Sequence, residues 1–242
     1  MKNRIFLAAL LGVALTGAAL ARGPVIELGF ESGFDDEGPH RLKGVSHGDE
    51  VLRVPGRNGR ALFVGGTSDW LDLELSSAVS FGGGLTLELW FKRDDWKNPY
   101  KGGSGWQTMA SVTTDFSLAI TAPGCPLHKP WALEGHVSGY REDVKERETA
   151  RVLSEPYNIN PGRWRHAALV YDPAGSVLRL YLDGKLTDTA RGGPVPGYRI
   201  RKMSLGTWYK NNQAYRGAID DVAVYDFPRS AEDIAAAAFL SQ

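Results

Sequence analysis

Gly44-Val45-Ser46-His47-Gly48 spells out a nucleophile motif, G-x-S-x-G. Its serine works only on a sharp strand-to-helix turn, in a parallel α/β sheet whose other loops bring the acid and the histidine. Asp49-Glu50 and the short apolar run Val51–Val54 follow here, so a serine hydrolase is disfavoured. Glycosidic cleavage needs two carboxyl groups, about 5 Å apart in retaining enzymes. Strand residues two apart share a face, so Glu-x-Asp-x-Glu would align such a pair, yet no Glu in this chain is followed two positions later by Asp. Glu88 is the carboxylate inside the strongest apolar strand, and only a non-adjacent strand could bring Glu134 to it. Zinc chemistry is unsupported, since the five His residues show no H-x-x-x-H spacing and there is a single Cys. Cys125 has no intramolecular disulfide partner and reads as a small buried hydrophobe.

Two loops combine aromatic rings with amides and glycines. Trp96, Tyr100 and Trp106 lie in the stretch Asp94–Trp106, and Trp208, Tyr209, Asn211, Asn212 and Tyr215 form a second cluster. Rings so placed either cap the ends of a core or present a face to a ligand. Two clusters in one small domain point to at least one exposed interaction patch.

Strands must carry these loops. Residues 163–184 read as two apolar strands joined by Asp172-Pro173-Ala174-Gly175, and Asp183-Gly184 leads to a third at Lys185–Arg191. In Leu85–Lys92, Leu85, Leu87, Leu89 and Phe91 share one face, opposite Thr86, Glu88, Trp90 and Lys92. Further strands are expected at Val25–Phe30, Val51–Val54, Ala61–Val64, Leu71–Leu75, Ala132–Ser138, Met203–Trp208 and Ala218–Tyr225, with Gln107–Thr113 paired to Phe116–Ala122. The charged run 141–148 reads as an exposed hairpin or a helical turn, and its mixed signs argue for a solvated face. Ser230-Ala231-Glu232-Asp233 has the layout of a capping box for a final helix through Phe239.

The order of three stretches, Leu85–Lys92, Trp164–Gly184 and Tyr215–Tyr225, resembles laminin G-like, concanavalin A-like jelly-roll domains of the pentraxin-related superfamily. The resemblance implies an all-β, two-sheet antiparallel jelly-roll sandwich with a short C-terminal helix. It also implies a secreted recognition module for a glycan or a cell-envelope or matrix component. Polysaccharide hydrolases or lyases on a concanavalin A-like fold are the alternative, and a protein-binding adhesion domain is the next. The aromatic clusters would then be the ligand-binding residues. Members of this family often hold calcium at the sandwich margin. Carried over to this sequence, Asp220 is the best side-chain match, with Glu31, Asp35 or Asp69 as partners. Asp220 shares a strand face with Val222 and Val224, so a cation or loop amides must satisfy it.

Residues 1–21 are expected to be a secretory signal: Lys2 and Arg4, an apolar run from Ile5 to Leu15, then Ala19-Leu20-Ala21. That apolar run is shorter than the ~20 residues of a spanning helix. The expectation is therefore a single domain, 22–242, secreted or periplasmic. The chain has 28 basic and 28 acidic residues, so loss of Lys2 and Arg4 leaves it two charges on the acidic side. That balance offers no electrostatic footprint for nucleic acid.

Overall fold

The computed structural model describes residues 22–95, 105–113, 115–141, 145–193, 201–208 and 213–240. The expected signal segment, 1–21, lies outside them. Among the described residues the chain runs through β1 (Ile26–Leu28), β2 (Gly44–His47), β3 (Val51–Pro55), β4 (Arg60–Val64), β5 (Trp70–Glu74), β6 (Leu85–Arg93), β7 (Trp106–Val112) and β8 (Phe116–Thr121). It continues through β9 (Leu133–Arg141), β10 (Glu146–Leu153), β11 (Trp164–Asp172), β12 (Val177–Leu182), β13 (Lys185–Arg191), β14 (Lys202–Leu205), β15 (Gly217–Tyr225) and α1 (Ala231–Leu240).

The strands form two antiparallel sheets. One is ordered β13-β12-β11-β6-β15-β4-β3, with β1 pairing on β15; the other is ordered β10-β9-β8-β7-β14-β5-β2. We call them the eight-stranded and seven-stranded sheets. The architecture is the jelly-roll sandwich that the three sequence stretches imply.

Alternation decides what each sheet buries. Leu85, Leu87, Leu89 and Phe91 of β6 point inward and meet Leu118, Ile120, Leu133 and Val137 of the opposite sheet in one core cluster. Gly135 lies on this inner side, and a Cβ there would sit 2.4 Å from Leu169 Cδ1. The sheets approach closely enough at that point that only a missing side chain fits.

Turn chemistry sets the register of the central meander. Asp172 Oδ1 accepts hydrogen bonds from Ala174 N (3.1 Å) and Gly175 N (3.3 Å), an Asx-type closure of the β11–β12 turn. Asp183 and Gly184 both adopt positive φ, 49° and 75°, as a tight two-residue hairpin with the right twist requires. The final helix starts where the capping pattern places it: Ser230 Oγ accepts from Asp233 N at 3.1 Å. Ile234 of that helix packs on Ala168, Val170 and Tyr181, on the outer side of the eight-stranded sheet.

The strand pairing bears on two of these readings. Ser46 lies inside strand β2, paired with Leu71 of β5, so the G-x-S-x-G pattern forms no nucleophile elbow. The charged run resolves as a hairpin in which β10 pairs with β9 from Glu146↔Arg141 to Leu153↔Glu134.

Candidate functional site

The sandwich has two outer faces, and polar side chains converge on each in a different way. On the seven-stranded sheet, β9 turns Leu133 and Val137 inward, so Glu134, His136 and Ser138 face outward. The register places β8 between β9 and β7, with Ala119 opposite Glu134 and Trp106 opposite Thr121. Trp106, Glu134, His136, Arg151 and Gln213 then line one shallow hollow of about 60 Å³.

Within it Glu134 is 1% exposed, and its Oε1 accepts from Arg151 Nε at 2.7 Å. His136 Nδ1 stands 3.4 Å from the same oxygen and 3.1 Å from Ser117 Oγ. Oε2 of Glu134 is buried without a hydrogen-bond partner. The Arg151 guanidinium lies 5.7 Å from the half-buried Trp106 ring. Gln213 is fixed by Thr108, which donates its backbone N–H to the Gln213 carbonyl (2.8 Å) and its hydroxyl to Oε1 (2.9 Å). A ring, an amide and a carboxylate held by a guanidinium thus share one rim, with an acceptor to spare.

The polar face continues along the sheet. Asp115 pairs with Arg147, which also donates to Ser138 Oγ at 2.7 Å. Farther on, Asp72 accepts from Ser204 Oγ (2.5 Å), Trp70 Nε1 (3.0 Å) and Lys202 Nζ (3.1 Å). His47 stacks on Trp70 with centroids 4.5 Å apart.

The outer face of the eight-stranded sheet is organised around burial. Glu88 is 4% exposed and His166 2%. Their registers bring them together: His166 pairs with Trp90 and Ala168 with Glu88. Glu88 Oε1 is bound by Arg229 Nη1, while Oε2 lies 3.9 Å from His166 Nε2 and has no hydrogen-bond partner, nor has His166 Nδ1. Burial raises the Glu88 carboxyl above its ordinary range, against the pull of Arg229. Burial also lowers the His166 imidazole to about 4, which leaves it neutral at physiological pH. Arg57 lies flat over the Trp90 ring, 3.7 Å from its centroid.

The sequence-level candidates are distributed unevenly over this geometry. Trp106 lines the hollow of the seven-stranded sheet, and Trp208 is half-buried. Trp96, Tyr100, Tyr209, Asn211 and Asn212 lie outside the described residues. Tyr215 corrects the expectation of an exposed ring: it is fully buried in the core, its hydroxyl is 3.4 Å from the Ala218 carbonyl, and burial raises its pKa. Glu88 and Glu134 project from opposite outer faces of the sandwich, so they cannot act as a catalytic pair.

Of the four acidic residues suggested for calcium, Glu31 lies near Asp220, while Asp35 and Asp69 are held elsewhere. Asp220 Oδ2 accepts from Arg57 N (2.9 Å) and Oδ1 from Asp221 N (3.0 Å). Burial pushes its carboxyl up to about 6, with Glu31 and Asp221 adding like charge. Glu31 Oε1 is held by Arg60 N at 3.0 Å, Asp35 by Lys43 Nζ at 2.5 Å and Gly44 N at 3.1 Å, and Asp69 by Glu50 N at 3.0 Å. Among the described residues no group of three His, Cys, Asp or Glu side chains is placed to hold a metal ion. Backbone amides satisfy Asp220, and a register shift between Asp220 and Ala223 places it beside Trp90 on the outer face, off the core face expected from Val222 and Val224.

Sequence reasoning missed His136, Arg151 and Gln213. Alternation around Leu133 and Val137 was the available signal for His136. Nothing local announced that β10 and the segment before β15 would meet Trp106.

Residues 65–235 match a family described as the concanavalin A-like lectin/glucanases superfamily. No curated protein sequence matches the chain. Among solved structures, the binding domain of botulinum neurotoxin DC in complex with SialylT superposes with a TM-score of 0.65 at 12% identity, over 91% of this chain and 51% of that one. The binding domain of Paraclostridial Mosquitocidal Protein 1 gives a TM-score of 0.69 at 12% identity, over 89% and 52%. A botulinum neurotoxin type C structure, whose cell entry is described as dependent on interaction with two ganglioside molecules, gives 0.65 at 13%, over 91% and 51%. The chain spans about half the length of these structures. At such identities the likeness is one of fold.

Proposed function

The chain belongs to the concanavalin A-like lectin/glucanase superfamily, and from that premise we propose that it is a non-catalytic glycan-recognition module. Its ligand lies on the outer face of the seven-stranded sheet, over Trp106, Glu134, His136, Arg151 and Gln213. One observation carries this reading: Glu134 Oε2 is a buried acceptor with no partner among the described residues, set beside an aromatic ring that is still half open. A sugar hydroxyl satisfies such an acceptor while the apolar face of its ring covers Trp106. Arg151, His136 and Gln213 supply further planar polar groups at fixed positions. Solved structures of similar fold are described as bound to SialylT or dependent on gangliosides, which supports a glycan as the ligand class here.

Recognition fits better than cleavage. Among the described residues Glu134 is the one carboxylate lining the hollow. The next on that face, Asp115, pairs beside Ser138, four strand residues and about 13 Å from Glu134. That exceeds the spacing of both retaining and inverting carboxylate pairs, roughly 5 to 9.5 Å. We further propose export to the cell surface or periplasm through residues 1–21, where envelope or matrix glycans are the available partners.

The test is binding of the purified protein to an array of neutral, sialylated and uronate-bearing oligosaccharides, followed by titration of the best binder. Trp106→Ala and Glu134→Gln are expected to weaken it about tenfold or more, as loss of a stacked ring or a charge-assisted hydrogen bond does, with no oligosaccharide cleaved. Absence of binding across the array, binding indifferent to both substitutions, or release of shorter products would overturn the reading.

A further inference from the structure

The eight-stranded sheet carries a second hollow, of about 380 Å³, on the opposite side of the molecule from the glycan site. Glu88 and His166 form its floor, Trp90 and Ala237 are walls, and Glu27 and Asp221 stand at its mouth. The volume is that of a small-ligand site. We propose that this hollow binds a small organic cation, a primary ammonium borne on a compact body about the size of one sugar ring.

The charge of the lining selects the sign. Glu27, Glu88 and Asp221 bring three carboxylates to the hollow, and among the described residues no Lys or Arg lines it. Two guanidiniums stand beside the hollow and leave the carboxylates in excess: Arg229 binds one oxygen of Glu88, and Arg57 is laid on the Trp90 ring with its Nη1 buried and unpartnered among the described residues. His166 is held neutral by burial and adds no positive charge.

Unmet hydrogen bonds select an organic ligand. Glu88 Oε2 and His166 Nδ1 are both buried and both without a partner, on side chains 4% and 2% exposed. Leaving such atoms unpaired is costly, and an ammonium offers up to three donors to them. A bare metal ion matches poorly, because it wants several oxygens at one point and no three metal-binding side chains converge among the described residues. The Trp90 indole and the Ala237 methyl leave apolar wall between the polar atoms, which suits a carbon skeleton. Two exposed carboxylates at the mouth and a desolvated one at the floor form a graded path for a cation.

Calorimetric titration and thermal melting of the full protein with glucosamine, ethanolamine and putrescine test this, with glucose and N-acetylglucosamine as uncharged controls. Binding by at least one amine and by neither control is expected. Ala237→Phe, on the half-exposed side of the helix, should fill the hollow and abolish it. The exposed pair Glu27→Gln with Asp221→Asn should weaken it about tenfold at low salt, and Trp106→Ala should leave it unchanged. No response to any amine means that ordered water satisfies Glu88 and His166, and it overturns the proposal. An equal response to glucose, or amine binding retained in a folded Ala237→Phe protein, does the same. Because the glycan site lies on the other sheet, either reading can fail alone.

Discussion

The two outer faces of this sandwich solve the problem of a buried carboxylate differently. On the seven-stranded sheet Glu134 is covered, but its partner Arg151 is 37% exposed, so solvent reaches one side of the pair. On the eight-stranded sheet both members of the Glu88–Arg229 pair are enclosed, at 5% and 15% exposure, with His166 neutral beside them. The first arrangement leaves a rim that a ligand can approach from solvent. The second places charge in a low-dielectric hollow, where electrostatics are strong and errors are costly.

The largest expected effect separates the two pairs. Arg229→Met strands the Glu88 charge and should destabilise the protein by about 3–5 kcal/mol, as removal of one partner from a buried pair does. Arg151→Met should cost nearer 1 kcal/mol, because solvent takes the place of an exposed partner. Urea denaturation of both variants measures this, and equal losses would break the comparison.

Proton linkage sharpens it next. His166 has a folded pKa of about 4 against 6.5 ordinarily. Its contribution to stability is therefore complete above pH 6.5 and is lost as pH falls toward 4. Asp220 works in the opposite sense: with a folded value of about 6 against 3.8, its contribution is complete below 3.8 and lost as pH rises through 6. Each is worth of order 3 kcal/mol at full extent, and the two offset each other in the wild-type protein. Removing the imidazole with His166→Phe should leave a protein whose stability falls as pH rises from 4 to 6. Chemical denaturation across that window checks it; a variant that still loses stability on acidification would contradict the assignment.

The smallest effect concerns calcium. Since Asp220 already accepts two backbone amides, melting curves in excess calcium and in chelator should coincide. A calcium-dependent rise abolished by Asp220→Ala would instead place a cation at the sandwich margin, a rise expected from any ligand that binds only the folded state.

Much of the scaffold was legible before any coordinates, because strand alternation and turn residues are local. Leu85 to Phe91 declared their inner face, Asp183-Gly184 declared a tight hairpin, and Ser230 declared the start of the helix. The sites were much less legible. Trp106 was marked by its ring among glycines, yet Tyr215, with the same kind of local sequence, is core. One residue of context does not distinguish a ring that opens to solvent from one that a neighbouring strand covers.

G-x-S-x-G shows the same limit from the other side: the five residues match a catalytic pattern, and pairing with β5 makes the first four an ordinary edge strand. The sequence by itself determined two apolar-faced sheets, their turns and the terminal helix, since each follows from the side-chain period and backbone preferences of a few neighbouring residues. Only the tertiary structure decided that Glu134 would meet Arg151 and Trp106 while Glu88 met His166 and Arg229 on the far side. Strand order pairs residues as distant in sequence as Ile26 and Val224, the Glu88–Arg229 pair joins residues 141 positions apart, and burial, which no local pattern encodes, keeps His166 neutral.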